Sequence, residues 1–276
     1  MEEVKWVVEK YEGNELFDPL CQELEKQHIP YKPIEYRYNS LPGDYDIFPN
    51  RSCVVFTGSL KMANEIDGQW DPGVYYNRKN MECTTYYSYF GKYLLNSGYV
   101  MVPLLELSRR REYFFKEFGK NNEIFMRPNS GSKTFAGNIY PLDTLDIELH
   151  TMDLYAGRSM DNILVVVAAP KVIDYEWRIV IADHRPVAAS LYKANDEVVI
   201  KEGCDDGAWD LADAIACEVW QPDRCYVLDI AKCGNQYSLI EANSFSCSGL
   251  YACNLEAVVR MVSAAAKKEY EEYLEV

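Results

Sequence analysis

Apolar runs and helix-like periods alternate along the first part of the chain. Short apolar runs predict β-strands at residues 4–8, 31–38, 53–56 and 99–103. Apolar residues at helical spacing predict helices at residues 15–26, 60–66, 82–96 and 104–118. Asn14 is placed to cap the first of these helices. Strands that alternate with helices are typical of a small α/β lobe.

The rest of the chain is richer in strand patterns. Buried-type or alternating runs predict strands at residues 123–128, 162–170, 175–182, 187–193, 226–231 and 236–243. A helix is predicted within residues 141–155, and a longer one runs from an Asn254 cap to Tyr273. The predicted fold class is therefore α/β, built from α+β lobes.

The two strands around residues 226–243 carry three oxygen-bearing side chains, Asp229, Glu241 and Asn243. Glu241 and Asn243 share a face because strand side chains alternate. A two-residue loop would set Asp229 opposite Ile240, on the other face, whereas a three-residue loop would set it opposite Leu239 and gather all three oxygens. Two carboxylates and an amide suit Mg²⁺. The alternative is a hairpin whose acids simply face water.

A second candidate is the loop that follows the strand ending in Arg127 and Pro128. It reads Asn-Ser-Gly-Ser-Lys-Thr-Phe-Ala-Gly-Asn over residues 129–138. Small residues let backbone N–H groups close around phosphate, and Lys133 and Arg127 add positive charge. The spacing is not a Walker A motif, so we predict a strand–loop–strand flap that returns at residues 137–140. A flexible hairpin loop without a function would use the same residues.

Three further patterns border these candidates. The strand at 162–170 ends in small residues and proline, which leaves backbone groups for an adenine edge. Glu176 and Arg178 share a strand face, as a structural ion pair or as a holder of carboxylate or phosphate. Gly58 and Ser59 follow a strand end, where α/β sheets bind ligands, although ordinary turn chemistry explains them too.

Composition narrows the function classes. With 48% hydrophobic and 26% charged residues the chain is typical of folded, water-exposed proteins, and its net charge of −15 argues against general nucleic-acid or anionic-membrane binding. No apolar run is long enough for a membrane span, and the acidic N-terminus does not resemble a signal peptide. Nine cysteines without framework spacing favour reduced thiols, so we expect a cytoplasmic protein.

In this order, the flap, the Glu-x-Arg hairpin and the acidic hairpin resemble the ATP-grasp superfamily. Within it, the chain is similar to a bacterial and phage group related to ribosomal-protein glutamate ligases, the RimK-like carboxylate–amine ligases. The resemblance covers roughly residues 100–255. It rests on the stretches Ile-Phe-Met-Arg-Pro-Asn-Ser-Gly-Ser-Lys-Thr-Phe-Ala-Gly, Glu-Trp-Arg-Ile-Val-Ile and Leu-Ile-Glu-Ala-Asn-Ser-Phe-Ser-Cys-Ser-Gly.

The resemblance implies a domain organisation. Residues 1–103 would be an N-terminal pre-ATP-grasp α/β lobe, and residues 104–276 the ATP-grasp domain. That domain would have a nucleotide-covering lobe at about 120–170 and a metal-binding lobe at about 171–276, with ATP between two lobes.

The resemblance also implies residue roles. Mg²⁺, with Mn²⁺ as a substitute, would be held by Asp229, Glu241 and Asn243. Catalytic cations would be Arg178, Lys133 and Arg127. ATP would contact Arg127, Gly131, Ser132, Lys133, Thr134, Gly137, Ala168, Ala169, Lys171 and Glu176. Arg127 stands where many members have lysine, and the second ATP lysine has only Lys116 or Lys120 as candidates. Substrate would border Ser59, Tyr192, Lys193, Ser244 and Ser246.

The implied reaction is ATP-dependent activation of a carboxylate to an acyl phosphate, followed by attack of an amine, or less often a thiol. The partners would be small-molecule or peptide carboxylates and amines, whose identity the sequence leaves open. The alternatives are a kinase that uses the same metal site, a nucleotide-binding module without turnover, and a structural protein without nucleotide. The oligomeric state also stays open, with a dimer among the options.

Overall fold

The computed structural model describes residues 3–38, 45, 47–132 and 134–275. The strands of this part are β1 Lys5–Glu9, β2 Tyr31–Ile34, β3 Cys53–Thr57, β4 Asp71–Gly73, β5 Tyr99–Pro103, β6 Glu123–Pro128, β7 Asn138–Pro141, β8 Leu164–Ala168, β9 Tyr175–Ala182, β10 Arg185–Ala194, β11 Glu197–Glu202, β12 Cys225–Cys233 and β13 Gln236–Ser244. The helices are α1 Phe17–Lys26, α2 Leu60–Ile66, α3 Cys83–Phe90, α4 Leu104–Arg109, α5 Arg111–Phe118, α6 Leu145–Ala156, α7 Asp206–Ala216 and α8 Leu255–Leu274. Mixed helices and sheets confirm the predicted α/β class.

The described strands form three sheets. The first is parallel, in the order β2-β1-β3-β4, and belongs to the N-terminal α/β segment. The second is antiparallel, in the order β11-β10-β9-β12-β13, and contains the Glu-x-Arg and acidic hairpins. The third is antiparallel, in the order β5-β8-β6-β7, and contains the strands that flank the glycine- and serine-rich loop.

Contacts divide the chain into two compact units. Unit 1 consists of residues 1–77 and 173–276, and unit 2 of residues 78–172. In unit 1, the two chain segments share one hydrophobic core, in which Trp6 of β1 packs with Val227 of β12 and Val259 of α8. The indole N–H of Trp6 donates to Ser263 Oγ at 2.9 Å. The first and second sheets therefore belong to one body.

Unit 2 has a core of its own. Buried residues of β6 and β8 pack there against α4 and α5, with Met126, Val167 and Leu107 at its centre. The domain boundaries predicted at residues 103 and 170 remain predictions, since a compact unit and a family domain are defined by different criteria.

Several predicted element ends differ from the structure. Asn14 does not cap α1, which begins at Phe17; its Oδ1 instead accepts the N–H of Leu16 at 3.2 Å in a turn before the helix. The helix predicted at 104–118 is interrupted at Arg110, which separates α4 from α5. Asn254 does cap α8, accepting the N–H of Ala257 at 3.0 Å. Among the described residues, no helix combines the length and apolarity needed to cross a bilayer.

Candidate functional site

The register of the β12–β13 hairpin decides where its acids point. Cys233 pairs with Gln236, so the turn has two residues, and regular pairing continues to Ile230 opposite Leu239. The register then shifts, and Asp229 pairs directly with Glu241. Ile240 is thus the extra residue of a β-bulge, which re-aims the side chains that follow it.

Neither register considered from the sequence is correct, because the bulge lies beyond the turn. It nevertheless produces the arrangement that only the three-residue loop was expected to give. Asp229 and Glu241 are directly opposed and project from one face, and Asn243 follows two residues later on the same strand. The Asn243 side-chain amide donates to Asp229 Oδ2 at 3.3 Å.

Asp229 also forms a buried two-pronged ion pair with Arg178 of the neighbouring strand β9. Arg178 Nε donates to Oδ1 at 2.8 Å, and Nη2 donates to Oδ2 at 2.7 Å. The two side chains expose only 7% and 2% of their surface. The sequence considered Glu176 as the neighbouring acid, but the cross-strand pairing of Asp229 with Arg178 makes Asp229 the partner. A planar guanidinium suits this geometry, and lysine would not reproduce it.

Burial and charge set the protonation behaviour of this pair. Burial raises the pKa of the Asp229 carboxyl, Arg178 opposes that rise, and Glu241 adds to it by charge and hydrogen bonding. Burial alone would lower the pKa of Arg178, but the charge and hydrogen bonds of Asp229 outweigh it and raise the pKa. Arg178 is therefore a permanent buried cation that requires its counter-ion.

Glu176, Tyr192 and Lys193 extend the polar face beyond Arg178. The Tyr192 hydroxyl donates to Glu176 Oε2 at 2.6 Å, and Lys193 Nζ lies 3.4 Å from Glu176 Oε1. Burial raises the pKa of Tyr192, and the negative charges of Asp229 and Glu176 raise it further. The structure thus brings the predicted metal, ATP and substrate residues of β9, β10, β12 and β13 to one face of one sheet.

A turn after β13 completes this face with residues that the sequence did not single out. Arg178 Nη1 donates to the carbonyl oxygen of Gly249 at 2.8 Å. The N–H of Ala252 donates to Ser190 Oγ at 3.1 Å, which holds the turn to β10. Between them, the Tyr251 ring centroid lies 5.0 Å from the guanidinium carbon of Arg178. Sequence patterns gave no signal for Tyr251 because it belongs to no periodic element.

Ser244 and Ser246 are buried and their hydroxyls bind the backbone of Tyr75. Ser244 Oγ donates to the Tyr75 carbonyl at 2.8 Å, and Ser246 Oγ accepts the Tyr75 N–H at 2.9 Å. Ser59 caps α2 by accepting the Met62 N–H at 3.2 Å. The N–H of Gly58 donates to the Ser246 carbonyl at 2.8 Å, which brings both regions together in unit 1. Substrate binding by these serines stays a prediction.

Unit 2 contains the predicted phosphate-binding loop. β6 and β7 pair antiparallel on either side of it, as the strand–loop–strand interpretation requires. Ser132 N–H donates to Ser130 Oγ at 3.1 Å. A Cβ on Gly137 would lie 3.1 Å from Phe125 Cζ and 3.2 Å from Arg127 Cβ, so the loop returns against β6 only with a glycine there.

The other predicted ATP residues of unit 2 differ in setting. Arg127 is buried on β6, and its Nη1 donates to the Tyr86 hydroxyl at 3.5 Å. Ala168 is buried at the end of β8, whereas Lys171 is exposed. Lys133 lies outside the described residues. Gly131 and Ala169 are half-buried, and Thr134, Lys116 and Lys120 are exposed. Each of these roles remains a prediction.

The donor set around Asp229 fits a hard divalent cation. Two directly opposed carboxylates repel one another unless a cation or a proton lies between them. Each carboxylate oxygen has two lone pairs, so Asp229 can bind Arg178 and still offer an oxygen to a metal. No cluster of three or more His, Cys, Asp or Glu side chains occurs in the described ranges. A metal here would therefore depend on amide, phosphate and water oxygens as well, which is typical of Mg²⁺.

Solved structures share this architecture over the full chain. D-alanine–D-alanine ligase from Bacillus anthracis, complexed with ATP, aligns with a TM-score of 0.62 and 12% identity over 99% of this chain and 100% of that one. A RimK domain ATP-grasp protein from Sphaerobacter thermophilus aligns with a TM-score of 0.56 and 10% identity over 96% and 98%. The ATP-grasp ligase PsnB, with a phosphomimetic variant of a minimal precursor, Mg and ADP, gives 0.56 and 12% over 98% and 99%. At these identities the likeness concerns the fold, which is the ATP-grasp fold.

A family model adds a sequence-level match. Residues 109–261 match the model of an ATP-grasp domain, family 2 of its clade, and the chain belongs to that family. Membership confirms the ATP-grasp and RimK-like relationship and supports ATP binding and an ATP-dependent ligase activity in general terms. Among curated proteins, sequence comparison finds no significant match.

Proposed function

We propose that the protein is an ATP-dependent carboxylate–amine ligase that forms an amide or peptide bond and releases ADP and phosphate. The observation that carries the proposal is the polar face of β9, β12 and β13, where Arg178, Asp229, Glu241 and Asn243 lie together in an ATP-grasp chain. No side-chain nucleophile is required, since phosphoryl transfer depends on positioning and on charge stabilisation.

The reaction has two balanced steps. A substrate carboxylate oxygen attacks the γ-phosphorus of ATP, the bond between that phosphorus and the β,γ-bridging oxygen breaks, and ADP leaves. The amine then attacks the acyl carbon, phosphate departs with the bonding electrons, and the amine loses a proton. The carboxylate and amine are small molecules or peptides, and the ATP-grasp ligases of similar fold act on both kinds of substrate.

Arg178 would stabilise the transferring phosphoryl group. Of its five N–H groups, three have acceptors among the described residues, namely both Asp229 oxygens and the Gly249 carbonyl, which leaves two for an anion. Glu241, Asn243 and Asp229 would hold Mg²⁺, for which Mn²⁺ can substitute. The ion would neutralise charge on the ATP phosphates.

The remaining roles belong to unit 2 and to the β9–β10 hairpin. Arg127, Gly131, Ser132, Lys133, Thr134 and Gly137 would bind the phosphates, and Ala168, Ala169, Lys171 and Glu176 would bind the nucleoside. Ser59, Tyr192, Lys193, Ser244 and Ser246 would border the substrate. We expect the protein to act in the cytoplasm, where ATP and Mg²⁺ are abundant.

The test is an ADP-release screen with Mg²⁺ over amino acids, short peptides and amines, followed by product mass. Glu241→Gln should reduce ADP release by about 10²-fold or more, since it removes a charge that would bind the metal. Glu197→Gln on the exposed strand β11 is the matched control and should behave as wild type. ADP release with a phosphorylated acceptor and no condensed product would identify a kinase instead. Nucleotide binding without ADP release would indicate a non-catalytic module.

A further inference from the structure

The turn after β13 contains a tyrosine in a backbone conformation that tyrosine rarely adopts. Tyr251 has φ = +50°, in the left-handed region that favours glycine, asparagine and aspartate. It is 44% exposed, so burial in the core does not explain the residue type. Strained backbone of this kind concentrates at functional sites, and the inference from an observed outlier to a function is sound in that direction.

The ring of Tyr251 contacts the central arginine of the candidate site. Its centroid lies 5.0 Å from the Arg178 guanidinium carbon, within the range of a cation–π interaction. The ring also stacks on Tyr192, with centroids 5.1 Å apart and planes at 14°. The Tyr192 centroid is in turn 5.8 Å from the same guanidinium carbon.

The turn itself is tied to the strands that present Arg178. The Gly249 carbonyl accepts a hydrogen bond from Arg178 Nη1, and the Ala252 N–H donates to Ser190 Oγ on β10. Ser190 pairs with Arg178 in the β9–β10 ladder. The position of Tyr251 is therefore fixed relative to Arg178 from both ends of the turn.

We propose that Tyr251 and Tyr192 form an aromatic clamp, and that Tyr251 is the positioning residue that holds Arg178 in the orientation required to bind the terminal phosphoryl group of ATP. This proposal rests on the proposed function. Asp229 holds one edge of the guanidinium, Gly249 accepts a further N–H, and the clamp restricts rotation out of that plane. The two remaining N–H groups then keep a fixed direction for a phosphate.

The backbone conformation sharpens the proposal because position 251 need not be tyrosine for folding. Asparagine tolerates a positive φ better than tyrosine does, so Tyr251→Asn relaxes the backbone while it removes the ring. Tyr251→Phe keeps the ring and the strain but removes the hydroxyl. The two variants separate the stabilising from the positioning role.

The experiment measures the dissociation constants of Mg·ADP and of the non-hydrolysable Mg·AMPPNP by calorimetry, together with the melting temperature. In wild type we expect tighter binding of AMPPNP, because Arg178 contacts the additional phosphoryl group. Arg178→Lys should reduce this preference. Tyr251→Asn should reduce it about tenfold, as expected for a lost cation–π contact. Tyr251→Phe should retain the preference, and so should Tyr273→Leu, an exposed control on α8.

The melting temperature of Tyr251→Asn should not fall below that of wild type, which distinguishes a positioning role from a structural one. An unchanged nucleotide preference in Tyr251→Asn, with Arg178→Lys impaired, overturns the clamp and leaves the ligase proposal standing. An unchanged preference in Arg178→Lys also overturns it. If wild type binds neither nucleotide, the proposed function itself fails, and the clamp fails with it.

Discussion

The β12–β13 hairpin and the loop at residues 129–137 supply the two halves of the proposed nucleotide chemistry, and they are built in opposite ways. In the hairpin, charged groups are buried and each is fixed by several partners: Asp229 alone accepts bonds from Arg178 and Asn243. In the loop, short polar side chains such as those of Ser130 and Ser132 bond locally to each other and are more open to solvent.

The difference teaches that preorganisation and adaptability are distributed unequally over the candidate site. A buried ladder of paired charges cannot rearrange without breaking strong bonds, so its geometry is the same before and after a ligand arrives. A loop with few buried contacts can open at little cost in free energy. We therefore expect substitutions in the hairpin to cost much more folding free energy than substitutions in the loop.

The largest expected effect is that of Asp229→Asn. The variant leaves the buried Arg178 without its counter-ion, and breaking a buried pair in this way costs about 3–5 kcal/mol of unfolding free energy. Urea denaturation followed by circular dichroism measures the loss. The matched control is Lys268→Gln, which breaks an exposed pair with Asp183 at 2.8 Å and should cost less than about 1 kcal/mol.

A double variant sharpens this expectation. Replacing both members, Arg178→Met with Asp229→Leu, removes the charge imbalance and should recover much of the stability, although not the activity. Equal losses for Asp229→Asn and Lys268→Gln would contradict the view that the hairpin face is a rigid charged core.

The second effect is a pH dependence from Asp223, just before β12. Burial raises the pKa of its carboxyl to about 7, although it accepts the N–H groups of Arg224 and Asn77 at 2.8 and 3.1 Å. Its pKa in the unfolded chain is about 3.9. Between these values the folded state binds more protons, so stability that is present below pH ~4 is lost as the pH rises to about 7, by on the order of 2–4 kcal/mol.

Asp223→Asn should remove this loss. Urea titrations at pH 5 and pH 8 should show wild type weaker at pH 8, and the variant with a smaller difference. Asp210→Asn, on the exposed side of α7, is the control and should follow wild type. Parallel wild-type and Asp223→Asn curves would show that Asp223 does not titrate in this range.

The smallest of the three effects is expected in the loop. Gly137→Ala places a methyl group 3.1 Å from Phe125 Cζ and 3.2 Å from Arg127 Cβ, and should cost about 1 kcal/mol of unfolding free energy because the loop can yield. Gly98→Ala, where an added Cβ meets no atom within 4 Å, is the control and should be neutral. A loss in Gly137→Ala as large as that in Asp229→Asn would remove the contrast between the two regions.

The sequence predicted most of the elements around the site but not the geometry that assembles it. Strands β9, β12 and β13 and the cap of α8 follow from alternation and capping residues, which are local signals. The bulge at Ile240 carries no comparable signal, yet it decides which face Asp229 occupies. Register beyond a turn depends on packing against the neighbouring strand, and a periodic pattern does not record it.

Partners distant in sequence were equally inaccessible. Arg178 was recognised as a candidate, but its counter-ion Asp229 lies 51 residues later, and pairing across strands is a tertiary choice. Tyr251 was missed because nothing in its neighbours predicts a positive φ. The break at Arg110 between α4 and α5 was missed for a related reason, since the apolar periodicity continues across it.

The shared core of unit 1 has a consequence for synthesis on the ribosome. Trp6 hydrogen-bonds Ser263, 257 residues further along, and α8 is among the last segments to emerge. The parallel sheet formed by β1 to β4 cannot bury its full apolar surface until translation is nearly finished. Residues 78–172 form a compact unit within that interval, so we expect the middle of the chain to mature while its beginning still waits for its end.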